Sequence, residues 1–419
     1  MKSVVFYVNH FGNGGVDRHI CNLANELNER GYDISILVRG SILIDRLYSL
    51  DKRIHVLSLR ESHKGLSNLD KLKLQIMRMN RNVQWVIART QQSIRERLNF
   101  DSFDAREKRR MIEREKTVIN EYKNDTLHLL RFVNENRDSI YIFFSVSVLE
   151  HFCYTTKELD LKMIYAEARD PSRRTLNKSI MIALLSKINA CVVQTETQAR
   201  LYREIIKQSW KIHTVYNPMP EITIMHDSSK SREKVIVNFC RMDPAKNLRL
   251  LVDSFCMLNE SYPDYKLELY VIADYEAAKK EKNELINYCK RKDSAGNIFI
   301  FSGEKNILKK IVDYSMFVSS SLHEGLSNSM LEAMSIGLPC VCTDCDGGGA
   351  REVIIDGVNG VLVQSDDITA LYVGMKKIIE NPLLAEKMGV QARRIKEKTN
   401  ILEVTTRWEA IFDDIDLNR

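Results

Sequence analysis

Two successive series of short apolar runs alternating with helical patterns predict an α/β protein built from two Rossmann-like domains. The length of 419 residues supports the same division, since single cores stop growing at about 250–300 residues. The turn-rich break Asn217-Pro218-Met219-Pro220 separates the two series. The expected domains are 1–216 and 217–395, with 396–419 as a C-terminal helix packing back toward the first domain.

The first series opens with the run Val4 to Val8 and the turn Gly12-Asn13-Gly14-Gly15. A helical pattern then places Ile20, Leu23, Ala24 and Leu27 on one face and closes at Gly31. Asp33 to Val38 is the next strand, and this strand–glycine turn–helix–strand order begins a doubly wound parallel sheet. Residues 68–135 interrupt the rhythm as a long, charged, helical insertion. Strands resume at Ile140 to Val146, Leu161 to Tyr165, Ala190 to Thr195 and Ile212 to Val215. In the second series strands are expected at Val235 to Phe239, Leu267 to Ile272, Ile298 to Phe301, 316–319, 339–343 and Val361 to Val363. Helices are expected at 247–260, 276–292, 305–313 and 328–336, and from Leu384 through Trp408 to Ile415. Two such halves leave a cleft beyond their strand carboxyl ends, where α/β sheets bind ligands.

A hydrophobic share of 44% and a charged share of 28% fit a globular protein. No run approaches the roughly 18 apolar residues of a membrane span. The first apolar run is too short for a signal peptide, so a cytoplasmic protein is expected. Cys340, Cys342 and Cys345 invite a metal reading, but Leu338 to Thr343 reads as a buried strand and no second Cys/His pair completes a site. No metal is expected. The net charge of +6 is local: residues 61–137 hold 17 Lys/Arg against 11 Asp/Glu, which accounts for the whole excess.

Two motifs carry chemistry. In His323-Glu324-Gly325-Leu326-Ser327-Asn328-Ser329-Met330-Leu331-Glu332, a loop carrying Glu324 runs into a helix carrying Glu332. Ser327 or Asn328 can cap that helix, whose free N–H groups suit an anion such as a diphosphate. The carboxylates can accept hydrogen bonds from sugar and ribose hydroxyls. The alternative is an ordinary loop and helix with two surface glutamates. In Asn238 to Asn247, Arg241 follows a strand end, and Pro244 starts a helix with Lys246 near its beginning. A forked Arg and a point-charge Lys suit a diphosphate. Without a bound anion, cations near a helix N-terminus are disfavoured, and the bland alternative is a solvated basic turn.

Together these segments resemble glycosyltransferase family 4, retaining enzymes of the two-domain GT-B fold. Arg241 and Lys246 match the family's paired diphosphate binders, and Glu324 with Glu332 matches its E-x7-E signature. Leu338 to Val341, Gly347-Gly348-Gly349-Ala350-Arg351-Glu352 and Asp356-Gly357-Val358-Asn359-Gly360 match later segments in order. The likeness covers roughly 1–40 and 160–419. It implies transfer from a nucleotide sugar, a UDP-sugar by expectation, to a saccharide or lipid-linked saccharide in bacterial cell-surface polysaccharide synthesis. It places Glu324 on the donor sugar and Glu332 on the ribose. Gly325, Leu326, Ser327 and Asn328 would lie along the diphosphate, and Gly14 and Gly15 beside donor and acceptor. It implies no cofactor, since the cations Arg241 and Lys246 stand where a metal would, and Asp344-Cys345-Asp346 is read as a chance D-x-D.

The chain departs from the family at three places. Ala273-Asp274-Tyr275 replaces a Gly-x-Gly near the base pocket, and Asp17 replaces a glutamate. Tyr165-Ala166-Glu167-Ala168-Arg169-Asp170-Pro171 stands where many members carry a histidine and resembles an S-E-R-N-D-P variant. Glu167 and Arg169 are thus either acceptor or donor-sugar contacts or a salt-bridged structural turn. The basic stretch 71–98 reads either as an interfacial helix on anionic lipid or as an amphipathic helix packed on its own domain. No nucleic-acid motif accompanies it. Among rivals, a nicotinamide dehydrogenase lacks the G-x-G-x-x-G spacing, and an epimerase would act without an acceptor. A catalytically silent GT-B-like partner or glycan-binding protein is the remaining alternative.

Overall fold

The computed structural model describes residues 2–42, 49–59, 104–156, 159–167, 178–205, 212–227 and 229–417. The basic stretch 71–98 and Arg169 lie outside the described residues. Among the described residues the first sheet has seven strands: β1 (Ser3–Val8), β2 (Asp33–Val38), β3 (His55–Ser58), β4 (Ile140–Phe143), β5 (Lys162–Glu167), β6 (Ala190–Val193) and β7 (Ile212–Thr214). Their order is β3-β2-β1-β4-β5-β6-β7. The second sheet has β8 (Glu233–Arg241), β9 (Lys266–Ile272), β10 (Ile298–Ser302), β11 (Tyr314–Ser319), β12 (Cys340–Asp344) and β13 (Val361–Gln364), ordered β10-β9-β8-β11-β12-β13. All pairings between these strands are parallel. In each sheet the order reverses at the first strand, β1 or β8, which opens a crevice at the strand carboxyl ends. The two crevices face one cleft. This two-domain arrangement is the GT-B fold.

Parallel strands are covered on both faces, which is why they read as unbroken apolar runs. In β1, Val5 and Tyr7 join one core layer while Val4, Phe6 and Val8 join the other. Three helices position the cleft: α1 (Gly15–Glu29), α2 (Asn328–Ser335) and α3 (Ile401–Leu417). Helix α3 buries Val404, Trp408, Phe412 and Ile415 in the core that α1 shares. Ion pairs Arg30–Glu409 (2.6 Å) and Lys162–Asp416 (2.7 Å) hold it to the first domain. The chain crosses between domains twice, and the crossings run side by side: the Met219 N–H donates to the Thr399 carbonyl at 2.8 Å.

The described part of the expected insertion is helical and packs on its own domain, while two other expectations need correction. Helices Ala105–Glu121 and Lys123–Glu135 bury Met111, Leu129 and Val133 in the first domain's core. Only Ile307–Ile311 is helical where 305–313 was expected; a single turn suffices to bury Ile307 and Ile311 before β11 begins. The C-terminal helical pattern is three helices, because Arg393 and Asn400 end Pro382–Ala392 and Ile395–Thr399, and Asn400 Oδ1 then caps α3 through the Leu402 N–H at 2.9 Å.

Two histidines make the fold acid-sensitive. Burial pushes His19 down to about 4, against a hydrogen bond with Asn217, and burial beside Arg39 pushes His151 down to about 3. Both rings are therefore neutral in the folded chain, while the unfolded chain takes up their protons near pH 6.5. Their contribution to stability is complete above pH 6.5 and is lost as pH falls toward 4, at about 1.4 kcal/mol per pH unit for each ring. Urea midpoints should fall over that window and fall less steeply in His19→Gln. A midpoint flat from pH 7 to 4.5 would contradict burial of the neutral rings.

Candidate active site

Strand β8 ends on Arg241, and Asp243 Oδ1 accepts the Ala245 N–H at 2.9 Å to start a single 3-10 turn, Pro244–Lys246. The sequence reading has a helix starting at Pro244 and the long helix over 247–260, and the latter is observed as Leu248–Ser261. Asn247, with a left-handed φ of 45°, separates the two. Lys246 thus closes a turn at the cleft, and its Nζ forms an ion pair with Glu324. Burial lowers the lysine's affinity for its proton, but the charge and hydrogen bond of Glu324, with a smaller contribution from Cys240, together outweigh it, so its pKa is raised above the ordinary lysine value. A fixed cation results. Ser321 Oγ also donates to Glu324 Oε2, at 3.4 Å.

Helix α2 begins next to this pair. Ser327, not Asn328, is its cap, accepting the Met330 N–H at 3.4 Å. The Asn328 side chain reaches the other domain, donating to the Gly15 carbonyl at 3.1 Å and accepting from Asn217 Nδ2 at 2.6 Å. The Leu326 N–H, expected along a diphosphate, donates to Gln194 Oε1 at 3.1 Å. It is engaged because Gln194, just beyond β6, reaches over the domain boundary. Gly325, Ser327 and Asn328 line the cleft.

From the first domain, Gly14 precedes α1, and Asp17 Oδ2 accepts its N–H at 2.7 Å. The aspartate that replaces the family's glutamate thus caps its own helix. A Cβ on Gly14 would lie 3.5 Å from Arg241 Nη1, so the glycine turn and the half-exposed guanidinium face each other across the cleft. Arg18 of α1 forms an ion pair with Glu332 of α2. Glu167 is the last residue of β5 rather than part of a turn, and its Oε2 accepts the hydroxyls of Tyr202 (2.6 Å) and Tyr165 (3.1 Å). It lines the same cleft.

The cleft encloses about 1710 Å³, more than the roughly 300–1,000 Å³ of an ordinary small-molecule site. That leaves room for two substrates. Arg241, Lys246, Glu324, Glu332, Gly14 and Gly15 all line it. On β12, Asp344 accepts from Arg351 Nε at 2.5 Å, so the first acid of the D-x-D is committed to an arginine. Among the described residues no group of three or more His, Cys, Asp or Glu is placed to hold a metal.

Sequence reasoning missed Arg18, Gln194, Asn217 and Ser321. Asn217 accepts from Gln194 Nε2 at 2.5 Å, bonds His19 Nδ1 at 2.9 Å and donates to the Leu326 carbonyl at 3.2 Å. Its place in a turn-rich linker, just before Pro218, marked it as a breaker and gave no signal of its contacts.

Residues 222–395 match the family model described as glycosyl transferases group 1. The chain is 23% identical over 419 residues to an uncharacterized glycosyltransferase of Haemophilus influenzae, covering 98% of this chain and 100% of that one. It is 25% identical over 240 residues to the poly(ribitol-phosphate) alpha-N-acetylglucosaminyltransferase of Staphylococcus aureus, covering 57% of this chain and 46% of that one. It thus spans the Haemophilus relative fully and under half of the staphylococcal one. A crystal structure of a TarM variant from S. aureus, in complex with fondaparinux, alpha-GlcNAc-glycerol and UDP, superposes with a TM-score of 0.69 at 15% identity, covering 98% of this chain and 100% of that chain.

Proposed function

We propose that this chain, a glycosyltransferase of the two-domain GT-B fold, moves a sugar from a UDP-sugar to a saccharide or lipid-linked saccharide acceptor in bacterial cell-surface polymer synthesis, with retention at the anomeric carbon. The observation that carries this is the Lys246–Glu324 pair at the N-terminus of α2, with Arg241 and the Gly14 turn facing each other beside it. In this reading Arg241, Lys246 and the free N–H groups of α2 offset the charge that develops on the departing nucleoside diphosphate. Glu324 holds sugar hydroxyls and Glu332 ribose hydroxyls. Lys246 and Arg241 supply the charge a metal would otherwise bring, so transfer proceeds in chelator. UDP as the nucleotide is supported by the UDP in the TarM complex, and a polymer acceptor by the staphylococcal poly(ribitol-phosphate) relative.

Glu167 is assigned to the acceptor side, because it lines the cleft from the first domain with its carboxylate held by two tyrosine hydroxyls. We place the enzyme in the cytoplasm, and the basic stretch 71–98 is a candidate contact with an anionic membrane surface as well as a candidate for packing on its own domain. No described helix is long and apolar enough to cross one.

Thermal stabilisation by UDP-, GDP- and ADP-sugars should single out UDP, and UDP release should then require acceptor from a lipid extract and persist in EDTA. Proton NMR of the product should show the donor's anomeric configuration. No nucleotide release with any nucleotide sugar would instead favour a silent GT-B-like partner.

A further inference from the structure

Arg18 stands in the first turn of α1, where the helix dipole disfavours a cation. Its guanidinium crosses the domain boundary to Oε1 of Glu332. Glu332 is only 4% exposed, and a carboxylate so buried must be paired to stay charged. The partner comes from the opposite domain. Neighbouring contacts run the same way: Asn328 donates to the Gly15 carbonyl at 3.1 Å, and a Cβ on Gly15 would lie 3.4 Å from Asn328 Nδ2. The N-termini of α1 and α2 are thus joined across the cleft, with one ion pair at the join.

We propose that Arg18 is a positioning residue that aims the Glu332 carboxylate at the donor's ribose and makes ribose recognition depend on the docked first domain. The proposal rests on the donor reading above, in which Glu332 meets the ribose. A carboxylate offers about four lone-pair sites, so one arginine contact leaves capacity for hydroxyl donors. The planar guanidinium also fixes the carboxylate's orientation in a way a point charge does not. When the domains separate, Glu332 loses both its counter-charge and its aim. Docking of α1 and selection of a ribonucleotide then become one event rather than two.

The test is titration calorimetry of the full chain with UDP and with 2′,3′-dideoxy-UDP. The wild-type protein should prefer UDP by about 10-fold or more, the worth of hydrogen bonds to a charged group. In Arg18→Gln, UDP binding should weaken by about 10-fold and the preference should shrink to within about threefold. Arg18→Lys should recover part of the preference, and Glu332→Gln added to Arg18→Gln should change it no further. Thermal melts identify folded variants, and a merely structural arginine would lower the melting temperature without touching the preference. Wild-type ribose preference in folded Arg18→Gln overturns the proposal while the donor reading stands. Failure of the wild-type chain to bind either nucleotide overturns both.

Discussion

Replacing Lys246 by alanine is expected to lower turnover by about 10²–10³-fold, the usual cost of removing one group that stabilises transition-state charge. The variant removes the cation that, in the function proposed above, faces the leaving diphosphate, and it leaves Glu324 without its ion-pair partner. Both carboxylate and ammonium retain about a fifth of their side-chain exposure, 23% and 20%, so water can reach Glu324 once the lysine is gone. The fold should therefore survive with a modest loss in melting temperature. Lys246→Arg should keep the charge but not the compact point contact, and recover only part of the rate. Steady-state kinetics with UDP-sugar and acceptor, paired with UDP inhibition constants, separate the effects: the loss should fall chiefly on kcat. Full activity in Lys246→Ala would remove Lys246 from the site, and with it the electrostatic account of leaving-group departure.

The elements that could be read from sequence are those whose signal is local. Both sheets were legible because parallel strands are apolar on two faces, so Val4 to Val8 and Val235 to Phe239 stand out without any partner being known. Glu324 and Glu332 were legible because a loop and one helix carry both. What escaped was long-range. The left-handed Asn247 separates the Pro244–Lys246 turn from the helix after it, and a single φ leaves no mark on hydrophobic period. Gln194 reads as part of a strand and Asn217 as part of a turn-rich break, yet both are buried against the start of α2. Arg18 carries no mark in the sequence because its partner lies in the other domain. The charged segment before β4 was legible as helix, but not where it packs: its sparse apolar positions Met111, Leu129 and Val133 are enough to build core when the facing helix, Val146–Thr155, is apolar.

The glycine run 347–349 is where the second large effect is expected, in Gly349→Ala. A Cβ at Gly349 would fall far inside 3.0 Å of the Gly325 carbonyl oxygen, and one at Gly347 equally close to that of Glu324. Both obstacles are backbone, so no side chain can swing aside. The glycines are therefore the surface on which the Glu324 loop rests, and their lack of Cβ sets how deep that loop sits behind Lys246. Adding a methyl must either push the loop into the cleft or push the start of helix Gly349–Val353 away from it. Overpacking of this kind costs about 1–3 kcal/mol, and more where backbone must move. An ångström of displacement at a catalytic group costs about 100-fold in rate. Gly349→Ala should thus melt several degrees lower and lose about two orders of magnitude in turnover. Gly296→Ala is the control. Gly296 has a φ of 72° with open space around it, so alanine there adds only the left-handed strain of about 1–2 kcal/mol. It should lower the melting temperature by a similar amount and keep its rate. Equal rates in the two variants would show that the glycine run supports the fold without setting the position of Glu324.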